Sequence, residues 1–248
     1  MSSADRPRSW SSRRYPLILL GLVGLLAVFL AIDPHDRKDW ALENALALIA
    51  VVLLVATAGW FQFSKLSYTL IFVLLVLHEI GAHYTYSEVP YDAWIQGLTG
   101  WSLDAALHFE RNNYDRFVHF VYGLLIAYPI REFVVRVANV RGFWGYFFPL
   151  DVIMSSSLLY ELIEWGAAVV FGGDLGQAYL GTQGDEWDAQ KDTLLATLGA
   201  ILALSITAIV HQSLHRDFHR EWVESWRVKR ETPLGEVEIR RLRAGKGS

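Results

Sequence analysis

Apolar positions along the chain gather into blocks. Six of them run Tyr15 to Ile32, Trp40 to Trp60, Lys65 to Thr85, Arg116 to Val137, Phe147 to Phe171 and Trp187 to His211. Each is close to the roughly 20 residues that a helix needs to cross the hydrocarbon of a bilayer. A chain inside lipid must satisfy its own backbone, so blocks of this length predict helices. The expected fold is all-α, a polytopic membrane bundle of six transmembrane helices. The first block is longer than the apolar core of a cleavable signal and has no small-x-small site before Asp33, so it is expected to stay as a helix. The segment "YDAWIQGLTGWSLDAALHFERNNYD" between the third and fourth blocks is too polar to span. Its Trp94, Trp101, Leu103 and Leu107 predict an interfacial helix over the bundle. The domain reading is a basic tail over 1–14, a membrane domain over 15–211 and a second basic tail over 212–248.

Charge orients these spans. Arg6, Arg8, Arg13 and Arg14 precede the first, Arg131, Arg136 and Arg141 flank the connection from fourth to fifth, and the carboxy-terminal tail is dense in Arg and Lys. The opposite connections carry Asp33, Asp36 and Asp39, then Glu88, Asp92, Asp104 and Glu110, then Asp174, Asp185 and Glu186. Positive charge collects on the cytoplasmic side, so both termini are expected there. Trp40 and Trp60 bracket the second block, and Trp144 and Trp187 stand near the starts of the fifth and sixth, as interfacial indoles would. A hydrophobic fraction of 53% and a mean hydropathy of +0.25 agree with a membrane protein. The absence of cysteine excludes disulfides and thiolate ligands, leaving His and carboxylate for any metal site. Nothing marks a Ser-His-Asp triad, a phosphate-binding glycine loop or nucleic-acid recognition, and the basic tails read first as orientation signals.

Against this apolar background, "ELIEWGAAVVF" places Glu161 and Glu164 inside the fifth span. Ionisable groups there cost roughly 2.5–3.5 kcal/mol each near the centre even on the lenient insertion scale, so they face a bundle interior and carry function. The third span has His78, Glu79 and His83, the fourth opens on Asp115 and His119, and the sixth has Asp188 and Asp192. With alternating helix directions, all four groups fall in the outer half of the membrane. The pairs Glu79/His83, Asp115/His119 and Asp188/Asp192 are four apart and Glu161/Glu164 three apart, so each projects from one side of its helix. Bundles build metal sites from such inward pairs. So many acids need a positive partner: a divalent metal, shared protons, or a basic side chain such as Arg116 or Lys191. The mixed donor set suits zinc, iron or manganese. The metal candidates are therefore His78, Glu79, His83, Asp115, His119, Glu161, Asp188 and Asp192, with Glu164 and His119 as catalytic candidates and Glu164 as the general base. "HEIGAH" is not the zincin motif, because His78 and His83 are five apart. In "GTQGDEWDAQKD", Asp188 and Asp192 are assigned to the site and Asp185 and Glu186 to solvent. His211, His215 and His219 read as part of a solvated amphipathic helix.

"LHEIGAHYTYSEVP", "ERNNYDRFVHF", "ELIEWGAA" and "GTQGDEWDAQKDTLLATLGA" together resemble the YjdF-like family of bacterial inner-membrane proteins. That resemblance implies a multi-pass protein of the inner membrane. A more remote similarity is to VanZ-like membrane proteins, whose pattern is matched by Asp115, Arg116, His119, Glu161, Asp192 and Gly199, while Glu164 and Ala196 stand where that pattern has Gln and Asn. It implies an architecture rather than an activity. Two functions fit the residues, beside a third possibility, a purely structural scaffold. One is a metal-dependent intramembrane enzyme acting on a membrane lipid or lipid-linked substrate. The other is a non-enzymatic protein whose acidic pocket binds or conducts cations or protons, or binds a partner helix.

Overall fold

A computed structural model describes residues 10–173, 176, 180–214, 217–229 and 233–244; Arg6, Arg8, Asp174 and His215 lie outside the described residues. Every regular element among the described residues is helical. The six spans are α1 (Trp10–Leu30), α2 (Arg37–Thr57), α3 (Lys65–His83), α6 (Tyr114–Val137), α7 (Trp144–Phe171) and α8 (Asp188–Leu214). Two short helices, α4 (Tyr91–Thr99) and α5 (Leu103–Leu107), occupy the long polar connection, and α9 (Phe218–Glu224) and α10 (Leu234–Ala244) follow the last span.

Local chemistry sets several of these ends. Asp36 caps α2 by accepting from the backbone N–H of Lys38 and Asp39, and Ser64 caps α3 by accepting from Ser67. The interfacial segment divides in two because Gly100 takes a left-handed φ of 74° that ends α4. Asp92 then ties the pieces together, accepting from the N–H of Leu103 and Asp104 and from the Ser102 hydroxyl.

Burial is inverted relative to a water-soluble protein. Leu25, Val28 and Phe29 are about as exposed as side chains become, while Asp39, Glu43, Glu79, His119, Glu164, Asp188 and Asp192 are buried. Lipid covers the first set, and the bundle must pair the second within itself.

The spine of the bundle is the α6–α8 pair, with α3 and α7 packed around it and α1 and α2 leaning on α3. Small residues permit the close approach. A Cβ built on Gly123 would lie 1.8 Å from the Ala196 carbonyl oxygen, and one on Gly199 would lie 2.1 Å from that of Phe120. Ala127, Ala196, Ala200 and Ala203 complete the contact, with Ile153 of α7 filling the space beside them.

The far end of the bundle differs in detail from the expected solvated tail. Phe218 and Trp222 of α9 pack under Tyr146, and the Trp144 indole donates to the Ser225 carbonyl at 2.9 Å. Trp144 thus fastens α7 to the chain beyond α8 as well as marking a helix start. His211 meets the Tyr146 hydroxyl at 3.0 Å and packs edge-on against Phe218, which makes it a structural link at that end.

Candidate functional site

The site lies where α3 and α7 finish and α6 and α8 begin. Along α6, one stripe of the helix reads Asp115, His119, Gly123, Ala127 at intervals of four. Along α8, the facing stripe reads Asp188, Asp192, Ala196, Ala200. The small residues deeper in each stripe bring the backbones together, and the polar residues above them are consequently forced into one space. One ligand atom each from Asp115, His119 and Asp192 lies within 4.8 Å of the others. His119 Nε2 is 3.6 Å from Asp115 Oδ1 and 3.5 Å from Glu161 Oε1, so α7 delivers a third carboxylate to the same imidazole. Asp192 Oδ1 and Glu161 Oε1 are buried with no hydrogen-bond partner among the described residues. Buried carboxylate oxygens normally accept at least one hydrogen bond, so two unmet ones around one imidazole form a strongly acceptor-rich pocket.

Asp188, one turn before Asp192, is engaged differently. Arg111 Nη1 donates to its Oδ1 at 2.5 Å, and Arg116 Nη2 donates to the same oxygen at 3.0 Å. Arg111 also reaches the carbonyls of Gly181 and Thr182 at 3.2 and 3.0 Å. Asp188 is therefore held by two guanidiniums and is not one of the three residues grouped within 4.8 Å. Arg111 was not singled out by the sequence reading, although it is a cation in a connection otherwise rich in acids.

Asp185, expected in solvent, is tied down by Arg116 and by Lys191 Nζ, the latter at 2.5 Å; Glu186 is exposed. Gln183 and Asn112 exchange hydrogen bonds of 3.0 Å in both directions. The turn before α8 is thereby clamped onto the start of α6, roofing the site. Hydrogen bonding from Lys191, then from the Trp187 N–H and from Arg116, holds the Asp185 carboxyl below the usual carboxylate range. A depressed value means that ionised Asp185 stabilises the folded state. That contribution is complete above the ordinary carboxylate value of about 4 and shrinks as pH falls below it. The Tm difference between wild type and Asp185→Asn is therefore expected to stay level from about pH 5 to 8 and to close in stronger acid. A difference that instead grew toward acid would contradict the assignment.

The third span divides its polar residues among different neighbours. His78 Nδ1 meets the Tyr86 hydroxyl at 2.6 Å, while its Nε2 is buried with no hydrogen-bond partner within 3.5 Å among the described residues, and the ring lines a cavity of about 240 Å³ shared with Asp115 and His119. His83 points elsewhere: its Nδ1 meets the Leu30 carbonyl at 2.7 Å and binds the end of α3 to the end of α1. Five residues of helix rotate a side chain well away from its predecessor, and this separates the two histidines. Glu79 is buried, with Oε2 unpartnered among the described residues. Glu164 is buried one turn beyond Glu161 and outside the group of three.

The second span adds two buried acids that are not among the sequence candidates. Glu43 is buried there and accepts from the Tyr160 hydroxyl at 2.9 Å, and Asp39, assigned to a connection, is buried one turn earlier. Their spacing of four was visible, with Glu43 as the one ionisable residue inside an apolar block.

The same cavity is amphipathic. His78, Tyr86, Asp115, His119, Ser156 and Tyr160 contribute polar groups to its lining, and Leu46, Ala50, Leu74 and Leu75 contribute apolar ones.

Comparison with known proteins agrees with this architecture. Residues 15–213 match the family described as "Predicted membrane protein (DUF2238)", a range that runs from the first span into the sixth. The chain is similar to inner membrane protein YjdF of Escherichia coli (strain K12), at 38% identity over 188 residues, covering 75% of this chain and 86% of the relative. No solved structure matches the chain. The breadth of the match, the six apolar helices and the inverted burial lead to one conclusion: the chain belongs to this YjdF-like family and is a multi-pass protein of the inner membrane.

Proposed function

We propose that the protein holds a divalent metal, zinc, iron or manganese, between Asp115, His119 and Asp192, with Glu161 as a further ligand, and acts there on a lipid or lipid-linked substrate. The observation that carries this reading is the meeting of those side chains from three helices, with Asp192 Oδ1 and Glu161 Oε1 unmet by any described donor. A cation held by these residues would supply the positive charge that the buried carboxylate oxygens lack. One imidazole with several carboxylates is a donor set suited to these metals. Bound there, the ion would supply Lewis acidity toward an ester or phosphoryl oxygen.

The chain's own residues take the other roles. Glu164, buried beside the group and outside it, is assigned as the general base. Arg111 and Arg116 hold Asp188 and the roofing turn in place, which keeps bulk water from the site. The amphipathic cavity beneath seats the substrate's hydrocarbon, with His78 Nε2 free to donate to or accept from its head. With both termini cytoplasmic, as the arginine distribution favours, the substrate enters from the outer half of the bilayer.

Metal analysis of detergent-purified protein tests the reading. About one ion per chain is expected in wild type, lost in His119→Ala and in Asp192→Asn, and retained in Glu79→Gln. Folded wild-type protein that carries no metal at any pH would remove the proposal.

The chain of acids on α2 favours a second reading, since Asp39 and Glu43 extend the buried carboxylates beyond the group of three. In that reading the pocket conducts protons or cations. Proteoliposomes silent to both, beside a metal-loaded protein, would decide for the first.

A further inference from the structure

A second cavity, of about 600 Å³, opens between α1, α2 and α3 and belongs to neither reading of the acid site. Each helix gives it one apolar stripe: Leu20 and Val23 from α1, Leu54 and Val55 from α2, Phe72 and Leu75 from α3. The volume falls inside the range of roughly 300–1,000 Å³ typical of ligand pockets. Its polar wall is confined to one end, where Arg13 and Gln62 stand. Near that end α1 is tied to α3 by a 2.6 Å hydrogen bond between Tyr15 and Thr69, with Lys65 Nζ lying 5.7 Å from the Tyr15 ring centroid. Arg13 is the cation that lines that end, with no carboxylate among the lining residues, so the mouth offers a positive charge to an anion.

Length narrows the occupant. From Arg13 to Val23 a helix rises about 15 Å, half of the roughly 30 Å hydrocarbon core. A partner's membrane-spanning helix would leave half its length unmatched, whereas the chain of a lipid in one leaflet fits. We infer that this cavity is a binding site for an anionic glycerophospholipid of the leaflet in which α1 begins, with one acyl chain between α1, α2 and α3 and the phosphate at Arg13. The site is distinct from the acid cluster, whose Asp115 and His119 line only the smaller cavity, although Leu75 of α3 forms a wall common to both. With the amino terminus cytoplasmic, the lipid comes from the cytoplasmic leaflet.

Photo-crosslinking tests the site on the full chain in vesicles. Phosphatidylglycerol and phosphatidylcholine, each carrying a diazirine on an acyl chain, serve as probes, and adducts are mapped by mass spectrometry. With phosphatidylglycerol, adducts are expected to concentrate on the cavity stripes, at least fivefold above Leu158, Leu162 and Val169, which are exposed on α7. Phosphatidylcholine should show no such preference. Arg13→Ala should lower the phosphatidylglycerol adducts to the phosphatidylcholine level, and Leu54→Trp should remove cavity adducts of both lipids. Adducts spread evenly over all lipid-facing helices, or equal labelling by the two lipids in wild type, would overturn the assignment. The comparison of the two lipids on wild type decides the matter even where a variant fails to fold. A metal-free protein with normal adducts would sink the metal reading and leave this one standing.

Discussion

Gly199→Ala is expected to push α6 and α8 apart and disperse the acid site, although the substitution adds a single methyl group more than a turn below the nearest site carboxylate. The added carbon would lie 2.1 Å from the Phe120 carbonyl oxygen and 2.8 Å from the Leu124 nitrogen. Even a close C–H···O contact holds carbon and oxygen about 3.3–3.6 Å apart, so the helices must separate by about 1 Å. Both obstructing atoms are backbone, and no rotamer change relieves them. Overpacking of an ordinary core costs about 1–3 kcal/mol; a backbone obstruction places this variant at or above the upper end. Thermal unfolding in detergent should show a Tm lower by many degrees, and Gly123→Ala, facing the Ala196 oxygen, should behave the same way. The group of Asp115, His119 and Asp192 spans only 4.8 Å, so whatever protein remains folded should hold metal poorly. Gly166→Ala on α7 is the matched control, because nothing lies within 4 Å of its added carbon. If Gly199→Ala matched that control in both Tm and metal content, the spine would be wrongly assigned.

The same pair of stripes shows what the sequence made legible. Six apolar blocks are a one-dimensional signal, and the helices reproduce them with ends displaced by a few residues, as at Trp144 and Tyr114. Which helices touch is a two-dimensional question. Its answer was written in Gly123, Ala127, Ala196 and Ala200, four apart like the acids above them, but small residues carry no hydropathy contrast inside a span. Attention to charge found Asp115, His119, Glu161 and Asp192 because ionisable residues in lipid are costly enough to stand out. Glu43 carried that signal too, and went unread because it stood without a histidine or a second acid inside its block. His83 shows the opposite difficulty. Its residue type and depth suited a ligand, yet the ring meets the Leu30 carbonyl, a long-range contact that no local pattern announces.

Arg111 is where that difficulty has its largest energetic consequence. Arg111→Ala is expected to destabilise the protein by about 3 kcal/mol, the lower end of the range for breaking a buried ion pair, because Arg116 still faces Asp188. The loss has two parts: Asp188, 4% exposed, keeps its charge with half its compensation, and the Gly181 and Thr182 carbonyls lose their donor. Arg116→Ala should cost less, since Lys191 continues to hold Asp185. Adding Asp188→Asn to Arg111→Ala removes the uncompensated charge and should recover more than half of the loss, a coupling that a double-mutant cycle reads directly. The same variant separates Asp188 from the metal reading. Asp188→Asn alone should keep its metal, whereas Asp192→Asn should not, because the guanidiniums already occupy the oxygens of Asp188. Equal metal loss in the two variants would make Asp188 a ligand and Arg111 a bystander. Retention in Asp188→Asn alone would divide the acids of α8, four residues apart, between holding the roof and holding the ion.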